Sequence, residues 1–422
     1  MTNSTLTTTE QPTSAAAEQP VSTSSHSAFT FNFFEHCKSA IIPKVFLTSA
    51  LIGFLTCCAL GFTSTQVNWF KRFQRFYPGI SPSYNFFPTI SEMKAIVYSR
   101  LRKDQVLVIV GGNSVFNGVG QPKDKIWTER LQNILGDKYC VVNFAFRGAF
   151  PFEGGYFAAE SFAKEHPRTV YVTNSGPTAI GIPSGGDTYG YLYWQSRFRG
   201  EQIQDAEREA TIDAYIAGLK ESEAEKVREV KLRNQLDSIF YFTDLWNAVA
   251  LKGFTTIWQD SPDPYGPKRR TQDIEPDPAP LAGRFKMVDI ELKNIRSFSQ
   301  PLFNKRADGT WVQKALEWNE VSENLSRIIP QSMRKNTVVV LVPNCPFYVK
   351  KLPSDEQVRD AKLLKDGQSK WRAAGFDCLV PNNLIEDDFF DRCHIAPSGG
   401  QKLAELVAPE VISIASKLDE KK

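Results

Sequence analysis

Two short stretches of this sequence carry side chains that could act together in nucleophilic chemistry. "VLVIVGGNSVFNGVG", residues 106–120, presents Ser114 directly after an apolar run and two glycines. "DDFFDRCHIAPSGG", residues 387–400, presents His394 three residues after Asp391. At that spacing the carboxylate can hold the Nδ1–H group of the imidazole and leave Nε2 free to accept a proton. The pattern predicts acyl transfer through a serine nucleophile.

The glycines around Ser114 do not fit the common phosphate-binding or esterase motifs. A P-loop has four residues between its glycines and then Lys-Ser/Thr, whereas "GNSVFNG" has five and no lysine. A dinucleotide-binding loop requires G-x-G-x-x-G, and "GVGQPK" supplies only the first half. The G-x-S-x-G elbow requires a glycine where Phe116 stands. Two roles stay open for Ser114, a nucleophile or the N-cap of the following helix.

Histidine is scarce, which limits the choice of a general base. His26 and His36 precede a long apolar segment, so the globular part contains only His166 and His394. His166 comes just before a predicted strand, at the opposite edge of the sheet, and we expect it to be structural. The seven cysteines lack metal-ligand spacing. We therefore predict no metal site and no cofactor. We expect the cysteines of the globular part to be buried thiols, and a disulfide bridge among Cys140, Cys345, Cys378 and Cys393 is the alternative.

Strand-like and helix-like apolar patterns alternate along the chain. Short runs rich in β-branched residues predict strands, and apolar residues three or four positions apart predict helices. This alternation is typical of an α/β protein whose parallel sheet is covered on both faces. The predicted strands, in order, are "QVLVIVGG", "YCVVNFAF", "RTVYVTN", "TVVVLVP" and "FDCLVP".

The carboxyl ends of these strands carry the polar candidates. Ligands of open parallel sheets bind at that edge, so Ser114, Gly148, Asn174 and the loop with Asp391 and His394 should converge there. Acyl transfer also needs donors for the developing oxyanion. The backbone N–H groups of Ser114 and Gly148 and the amide of Asn174 are the predicted donors. For Gly148 and Asn174, a turn role is the alternative.

Four blocks of the sequence resemble those of the SGNH, or GDSL-type, hydrolases. The blocks are "GGNSVFNG", "NFAFRG", "YVTNSG" and "DRCHIAPSGGQKLAE", within residues 105–183 and 336–417. The resemblance implies a flavodoxin-like three-layer α/β/α fold and hydrolysis or transfer of acyl esters. It assigns Ser114 as nucleophile, His394 as base, Asp391 as its orienting partner, and Gly148 and Asn174 as oxyanion donors.

Two blocks depart from the family pattern. Asn113 precedes Ser114 where the family usually has aspartate, and residues 172–175, "VTNS", replace the usual G-x-N-D. Asn113 and Arg147 are further candidates for substrate contact. Arg147 stands beside Gly148, where it could bind an anionic group of the substrate, although an exposed structural arginine is the simpler interpretation.

Residues 45–62, "VFLTSALIGFLTCCALGF", predict a transmembrane helix. They contain no charge, and 18 helical residues span about 27 Å, close to the thickness of the hydrocarbon core. Trp69 and "FKRFQRFY" then stand where an interfacial aromatic belt is expected. A buried core helix and a cleaved signal peptide are the alternatives. Flanking charges do not decide the orientation. SGNH members with one N-terminal membrane helix commonly act outside the cytoplasm on envelope glycans or lipids.

Composition divides the chain into six segments. Residues 184–335 interrupt the α/β alternation with charged and aromatic helical stretches, among them "WVQKALEWNEVSENLSRI", and we interpret them as an insertion or cap. Its aromatic residues are expected in the core: Tyr189, Tyr191, Tyr193, Trp194, Phe240, Tyr241 and Trp246. The segments are a disordered tail (1–44), the membrane helix (45–62), a juxtamembrane linker and helix (63–104), the two parts of the α/β domain (105–183 and 336–419), and the insertion.

The sequence predicts a single-pass, membrane-anchored serine esterase or O-acyltransferase with an extracytoplasmic catalytic domain. Its substrate would be an acylated, in the first instance acetylated, envelope glycan or lipid. A formal net charge of +3 gives no case for a nucleic-acid partner. One alternative is a non-catalytic SGNH-like scaffold that binds a glycan or a partner of an envelope export complex. Another is a soluble enzyme in which 45–62 is a core helix. Acyl group, acceptor and oligomeric state stay open.

Overall fold

The structure is a computed structural model, and the residues it describes begin at Ile41. The described residues are 41–70, 73–76, 79–81, 84–122, 125–175, 189–257, 285, 287–299, 303–305, 307, 311–313 and 327–420. Residues 1–40 of the predicted disordered tail lie outside this part of the chain. The chain separates into two compact units, Met1–Phe54 and Leu55–Lys422, and the second contains the sheet and the candidate site.

Helix α1, Ile41–Ser64, contains the predicted membrane segment and begins four residues before it. Among the described residues it is the one helix long and apolar enough to cross a membrane, over Pro43–Ser64. Only 6% of this stretch is buried, which does not fit a core helix. The alternative of a buried core helix is therefore not supported by the packing.

Thirteen further α-helices follow in the described part of the chain. Most lie on the two faces of the sheet or in the insertion, and a short 3₁₀ helix spans Glu386–Asp388. The helices are α2 (Ile90–Tyr98), α3 (Ser114–Asn117), α4 (Trp127–Leu135), α5 (Gly155–Glu165), α6 (Gly190–Phe198), α7 (Ala206–Ala217), α8 (Glu221–Phe240), α9 (Phe242–Ile257), α10 (Val288–Ser299), α11 (Gln331–Lys335), α12 (Pro346–Val349), α13 (Ser354–Ala373) and α14 (Pro397–Asp419).

The central sheet has five strands, all parallel. They are β1 (Val106–Val110), β2 (Tyr139–Asn143), β3 (Thr169–Ser175), β4 (Thr337–Leu341) and β5 (Asp377–Leu379). Their spatial order is β2-β1-β3-β4-β5. Two short antiparallel pairs lie outside this sheet, Gly79–Ser81 with Tyr84–Asn85 and Phe303–Lys305 with Trp311–Gln313. The predicted parallel α/β sheet is confirmed, with each of the five strands where the sequence pattern predicts it.

Both faces of the sheet are buried, as a near-continuous apolar run such as β1 requires. Leu107 and Ile109 belong to the core on one face, together with residues of α2, α5, α6 and α13. Val106, Val108 and Val110 point to the opposite core, with residues of α4 and α14. Side chains alternate across a strand, so one β-branched run supplies both cores.

The insertion is mainly helical and is joined to the α/β part by a buried ion pair. Arg208 of α7 binds Glu160 of α5 at 2.7 Å, with both side chains almost fully buried.

Tyr189, Tyr193 and Trp194 of the insertion lie in the core, as predicted. The prediction is wrong for Trp246, which is 61% exposed.

The stretch around Trp311 is the second departure in the insertion. The sequence predicts a helix there, but Trp311–Gln313 forms a strand. It pairs with Phe303–Lys305, and this local antiparallel pairing overrides the helical pattern. Residues 314–326 of the predicted helix lie outside the described residues.

The juxtamembrane segment packs on the α/β core. Phe70, Phe73 and Phe76 are at most 1% exposed. Phe73 and Phe76 pack against Phe144, and Phe70 packs against both of them. The prediction of an interfacial aromatic belt is therefore wrong for these three rings, which bury their apolar area in the protein.

Arg75 of the same segment also packs on the α/β core. Its buried guanidinium donates to the carbonyl oxygens of Gly118 and Gln121 at 2.7 and 2.8 Å.

Candidate active site

Ser114 lies at the carboxyl end of β1, as the first residue of the short helix α3. Its neighbour Asn113 is the N-cap, and the Asn113 side-chain oxygen accepts a hydrogen bond from the N–H of Val115 at 3.0 Å. The capping role that competed for Ser114 therefore belongs to Asn113. The first N–H groups of a helix have no partner within it, so the N–H of Ser114 is placed to donate outward.

Gly112 makes this turn possible. Its φ of 102° lies in the left-handed region that favours glycine. A Cβ atom at this position would lie 2.3 Å from the Oδ1 atom of Asn174. The glycine thus allows the side chain from the end of β3 to approach the residues that precede Ser114.

His394 connects Ser114 and Asp391 through both ring nitrogens. Its Nε2 atom lies 2.8 Å from the Oγ atom of Ser114, and its Nδ1 atom lies 2.6 Å from the Oδ2 atom of Asp391. The other carboxylate oxygen of Asp391 accepts hydrogen bonds from the backbone N–H groups of Cys393 and His394 at 2.9 and 2.8 Å. The carboxylate is thus fixed by its own loop and holds the imidazole in turn.

The pKa values of this pair move in opposite directions. Burial by itself lowers the pKa of His394, but the hydrogen bond to Asp391 and the proximity of Cys393 outweigh it and raise that pKa above the ordinary histidine range. Burial by itself raises the pKa of Asp391, yet the hydrogen bonds from His394 lower it overall. The carboxylate therefore stays ionised and stabilises positive charge on the imidazole.

Residues from two further segments, the loop after β4 and helix α10, hold the loop that carries Asp391 and His394. The backbone N–H of Cys345 donates to the carbonyl of Arg392 at 2.7 Å. The Arg392 guanidinium contacts Asn344 and Glu291, each at 3.0 Å. Glu291 belongs to α10, so the insertion reaches this loop. The sequence analysis missed Asn344, which follows β4 at the same sheet edge. The polar residues that follow the other four strands were considered, and the same rule applied to β4 would have identified Asn344.

The predicted oxyanion donor Asn174 is buried beside Ser114 in a defined orientation. Its Nδ2 donates to the side-chain oxygen of Asn113 at 2.7 Å, and its Oδ1 accepts from the backbone N–H of Asn113 at 3.0 Å. One of the two Nδ2 hydrogens is thereby used, and a primary amide has a second. Asn113 thus holds Asn174 in place. The contact of Asn113 with substrate stays a prediction.

Gly148 and Arg147 form a turn after β2. Gly148 is exposed with a φ of 77°, and the carbonyl of Arg147 accepts from the hydroxyl of Tyr189 at 2.8 Å. Just before the turn, the N–H of Phe146 donates to the carbonyl of Gly112 at 2.9 Å. This bond places the chain that leads to Gly148 alongside the chain that leads to Ser114.

His166 lies at the other edge of the sheet, as predicted. Its Nε2 atom contacts the carbonyl oxygen of Gln105 at 2.9 Å, just before β1 begins. The length of β1 therefore separates it from Ser114. Its role is structural, in agreement with the interpretation from sequence.

The side chains of Asp391, Cys393 and His394 place one potential metal-ligand atom each within 4.8 Å of one another, the one such group among the described residues. A zinc ion accepts carboxylate, thiolate and imidazole ligands. However, a metal on Nδ1 of His394 would replace its 2.6 Å hydrogen bond to Asp391. The donor set therefore fits a hydrogen-bonded triad better than a metal centre.

Comparisons of the chain with protein-family models and with curated proteins give no match. The resemblance to SGNH hydrolases therefore rests on the four short blocks themselves. In the structure, the first, third and fourth blocks meet at one sheet edge, where Ser114 contacts His394 and Asn113 contacts Asn174. The second block runs beside the first through the bond between Phe146 and Gly112.

Proposed function

We propose that this protein is a membrane-anchored serine esterase or O-acyltransferase of the SGNH type. The observation that carries the proposal is the continuous hydrogen-bonded series from Ser114 through His394 to Asp391, with distances of 2.8 and 2.6 Å. Nucleophile, base and orienting group within this reach define the arrangement required for acyl transfer. The strand order β2-β1-β3-β4-β5 supports the finer assignment to a flavodoxin-like three-layer fold.

In the first half-reaction, the Oγ atom of Ser114 attacks the carbonyl carbon of the ester. His394 accepts the Ser114 proton on Nε2 as the new C–O bond forms. Asp391 keeps the imidazole in the tautomer with the proton on Nδ1 and stabilises the imidazolium. When the tetrahedral intermediate collapses, the alkoxide leaving group takes the proton from Nε2, and the acyl group stays on Ser114.

The developing oxyanion requires donors on the opposite side of the carbonyl from the imidazole. The N–H of Ser114, the second Nδ2 hydrogen of Asn174 and the N–H of Gly148 fill this role in the proposal. Support comes from the bonds between Asn113 and Asn174, which fix the amide before substrate arrives. A preorganised donor costs no reorganisation during the reaction.

In the second half-reaction, water or a hydroxyl of an acceptor attacks the acyl-enzyme. His394 removes the proton of the attacking oxygen and returns it to Ser114 Oγ as the acyl bond breaks. Water gives a carboxylic acid and therefore hydrolysis, whereas a sugar or lipid hydroxyl gives acyl transfer. The substrate class in this proposal is an acylated envelope glycan or lipid, with the catalytic domain outside the cytoplasm.

A fluorophosphonate probe tests the assignment because it reacts covalently with activated serines. The full-length protein in membranes should be labelled, and Ser114→Ala should abolish the label. Ser369→Ala is the matched control, since Ser369 is exposed on α13 and only donates to the carbonyl of Lys365. Label that survives in Ser114→Ala rejects Ser114 as nucleophile.

The scaffold hypothesis predicts a different result in the same experiment. A non-catalytic scaffold leaves the wild-type protein unlabelled and turns over no acetyl ester, while it retains glycan binding in a pull-down. The altered third block around Asn174 is the feature that motivates this hypothesis. Turnover of an aryl acetate that depends on Ser114 eliminates it.

A further inference from the structure

Helices α8 and α9 each carry a series of exposed apolar side chains. The residues lie at i, i+4 and i+7 on each helix, so each helix presents one apolar face. All are between 42% and 62% exposed: Leu232, Leu236 and Ile239 on α8, and Phe242, Trp246 and Val249 on α9. A group of exposed apolar side chains on neighbouring helix turns is typical of an interaction site. We call these six residues the α8–α9 apolar face.

The turn between the two helices packs against the last turns of α1. Tyr241, with a φ of 56°, joins α8 to α9, and its ring lies 5.4 Å from the ring of Phe62 in an edge-to-face arrangement. A side chain at Gly61 would lie 2.5 Å from the carbonyl oxygen of Tyr241. The turn between the two halves of the α8–α9 apolar face therefore contacts the end of the helix that is apolar enough to cross a membrane.

From residue 226 onwards, the exposed charges of α8 and α9 are arranged as in a helix at a membrane surface. Throughout residues 234–251, all of which are described, no charged side chain is exposed, because Asp237 and Asp244 are buried against Arg199. The first turns of α8 carry the exposed acids Glu221, Glu223 and Glu225, but the part next to the apolar face, residues 226–233, exposes four basic side chains (Lys226, Arg228, Lys231 and Arg233) against Glu229. Interfacial helices combine an apolar face with such basic residues, which attract anionic lipid headgroups.

We infer that the α8–α9 apolar face docks on the lipid bilayer, with its apolar side chains among the headgroups and upper acyl chains. This inference rests on the membrane anchoring included in the proposed function. Trp246 and Phe242 are residue types suited to the interface, where an aromatic ring is partly wet and partly apolar. Because α1 already holds the chain at the membrane, docking is intramolecular and requires little intrinsic affinity.

The proposal gives the insertion, residues 184–335, a role in membrane binding. The α8–α9 pair becomes a second membrane contact beside the anchor, and a bilayer is favoured over a second copy of the chain by the contact between Tyr241 and Phe62. A face that meets another protein has no need to lie beside the end of α1.

Lipid photolabelling tests the docking in the full-length protein. The protein is reconstituted in vesicles of phosphatidylcholine and phosphatidylglycerol that contain a phospholipid with a diazirine in its acyl chain, and labelled peptides are mapped by mass spectrometry. We expect label in α1 and in the peptides that cover Leu232–Val249. The control is the peptide with Val358, which is 68% exposed on α13 and should carry no label.

A pair of matched variants separates docking from general loss of structure. Ile239→Ser with Trp246→Ser should lose the label in α8 and α9 and keep the label in α1. Val358→Ser, an equally exposed apolar side chain, should leave the labelling pattern unchanged. All variants should retain the melting temperature of the wild type, since the changed side chains are exposed.

Three outcomes overturn the inference. Label confined to α1 rejects docking and leaves the anchor intact, whereas no label in either region rejects the anchor as well. Cross-links from position 246 to a second copy, or to another segment of the same chain, without lipid label identify a protein occupant and also reject docking. Fluorophosphonate labelling of Ser114 is measured on the same sample, so failure of docking is distinguished from failure of the proposed catalysis.

Discussion

The Oγ atom of Ser114 lies 2.8 Å from the Nε2 atom of His394, although the two residues are 280 positions apart in sequence. The parallel sheet accounts for this contact, since β1 and the loop after β5 end at the same edge. The side-chain amide of Gln121 donates to the carbonyl of Ile395 at 2.9 Å and holds the returning loop on the β1 side of the sheet. The contact between Ser114 and His394 leads to the following predictions for ester hydrolysis.

The pH dependence of ester hydrolysis should reflect the raised pKa of His394. Only neutral imidazole can accept the serine proton, so kcat/KM should fall as pH drops below this pKa. Because the pKa is raised, the acid limb should lie above the ordinary histidine value of about 6.5. The measurement is kcat/KM for an aryl acetate across pH. An acid limb below the ordinary value contradicts the prediction.

Asp391→Asn should lower the rate and move the acid limb downward. The variant removes the carboxylate that raises the pKa of His394, so the limb should shift to lower pH. Loss of the correct tautomer should reduce kcat by about 10⁴-fold. Asp387→Asn, a nearby exposed carboxylate, is the control and should change neither quantity. A limb that stays in place in Asp391→Asn would show that another group titrates.

Substitutions of Asn113 and Asn174 should affect activity differently. Asn174→Ala removes a predicted oxyanion donor and should lower kcat by about 10²–10³-fold, with KM nearly unchanged. The side-chain oxygen of Asn113 only accepts hydrogen bonds, from Val115 and Asn174, and a carboxylate accepts both. Asn113→Asp should therefore retain activity, whereas Asn113→Ala should lose it. Equal losses in Asn113→Asp and Asn113→Ala would contradict this role.

Gly112→Ala should cost both stability and activity, whereas Gly136→Ala should cost stability alone. Both glycines have positive φ, which strains an alanine by about 1–3 kcal/mol. Only at position 112 does the added Cβ meet a neighbour, the Oδ1 atom of Asn174 at 2.3 Å. Urea unfolding and kcat, measured on both variants, separate the two effects. Normal activity in Gly112→Ala would exclude the close approach.

Arg208→Met should destabilise the fold strongly. It leaves Glu160 buried without its counter-ion, at a cost of about 3–5 kcal/mol. Lys362→Met, which breaks an exposed pair with Asp366 on α13, should cost no more than about 0.5 kcal/mol. Thermal or urea unfolding gives both values. A small loss in Arg208→Met would mean that Glu160 is neutral or solvated.

The sheet could be predicted from the sequence because its strands are short, β-branched and bounded by turns. β1 and β3 illustrate this, since every residue of both strands is buried and few other structures suit such runs. The pairing of Ser114 with His394 followed from one topological rule and from the scarcity of histidine. The spacing of Asp391 and His394 then predicted their contact.

The remaining details depend on tertiary packing that no local pattern encodes. Asn113 and Asn174 meet because two strand ends are neighbours, and only register places their amides together. The contact between Arg392 and Glu291 joins the loop that carries Asp391 and His394 to the insertion across 101 residues. The exposure of Trp246 was missed because an aromatic residue in an amphipathic helix normally faces the core.

The juxtamembrane segment has a practical consequence for protein engineering. The backbone carbonyl oxygen of Phe76 accepts a hydrogen bond from the side chain of Asn117 at 2.9 Å. The guanidinium of Arg75 donates to the carbonyl oxygens of Gly118 and Gln121, in the loop that follows α3. A water-soluble fragment that starts at β1 would remove these supports from the end of α3 and the loop after it, and would open the part of the core that Phe70, Phe73 and Phe76 fill. The amino-terminal boundary of such a fragment belongs at about Asn68, shortly after the end of α1, where the side-chain amide of this residue contacts Ser99.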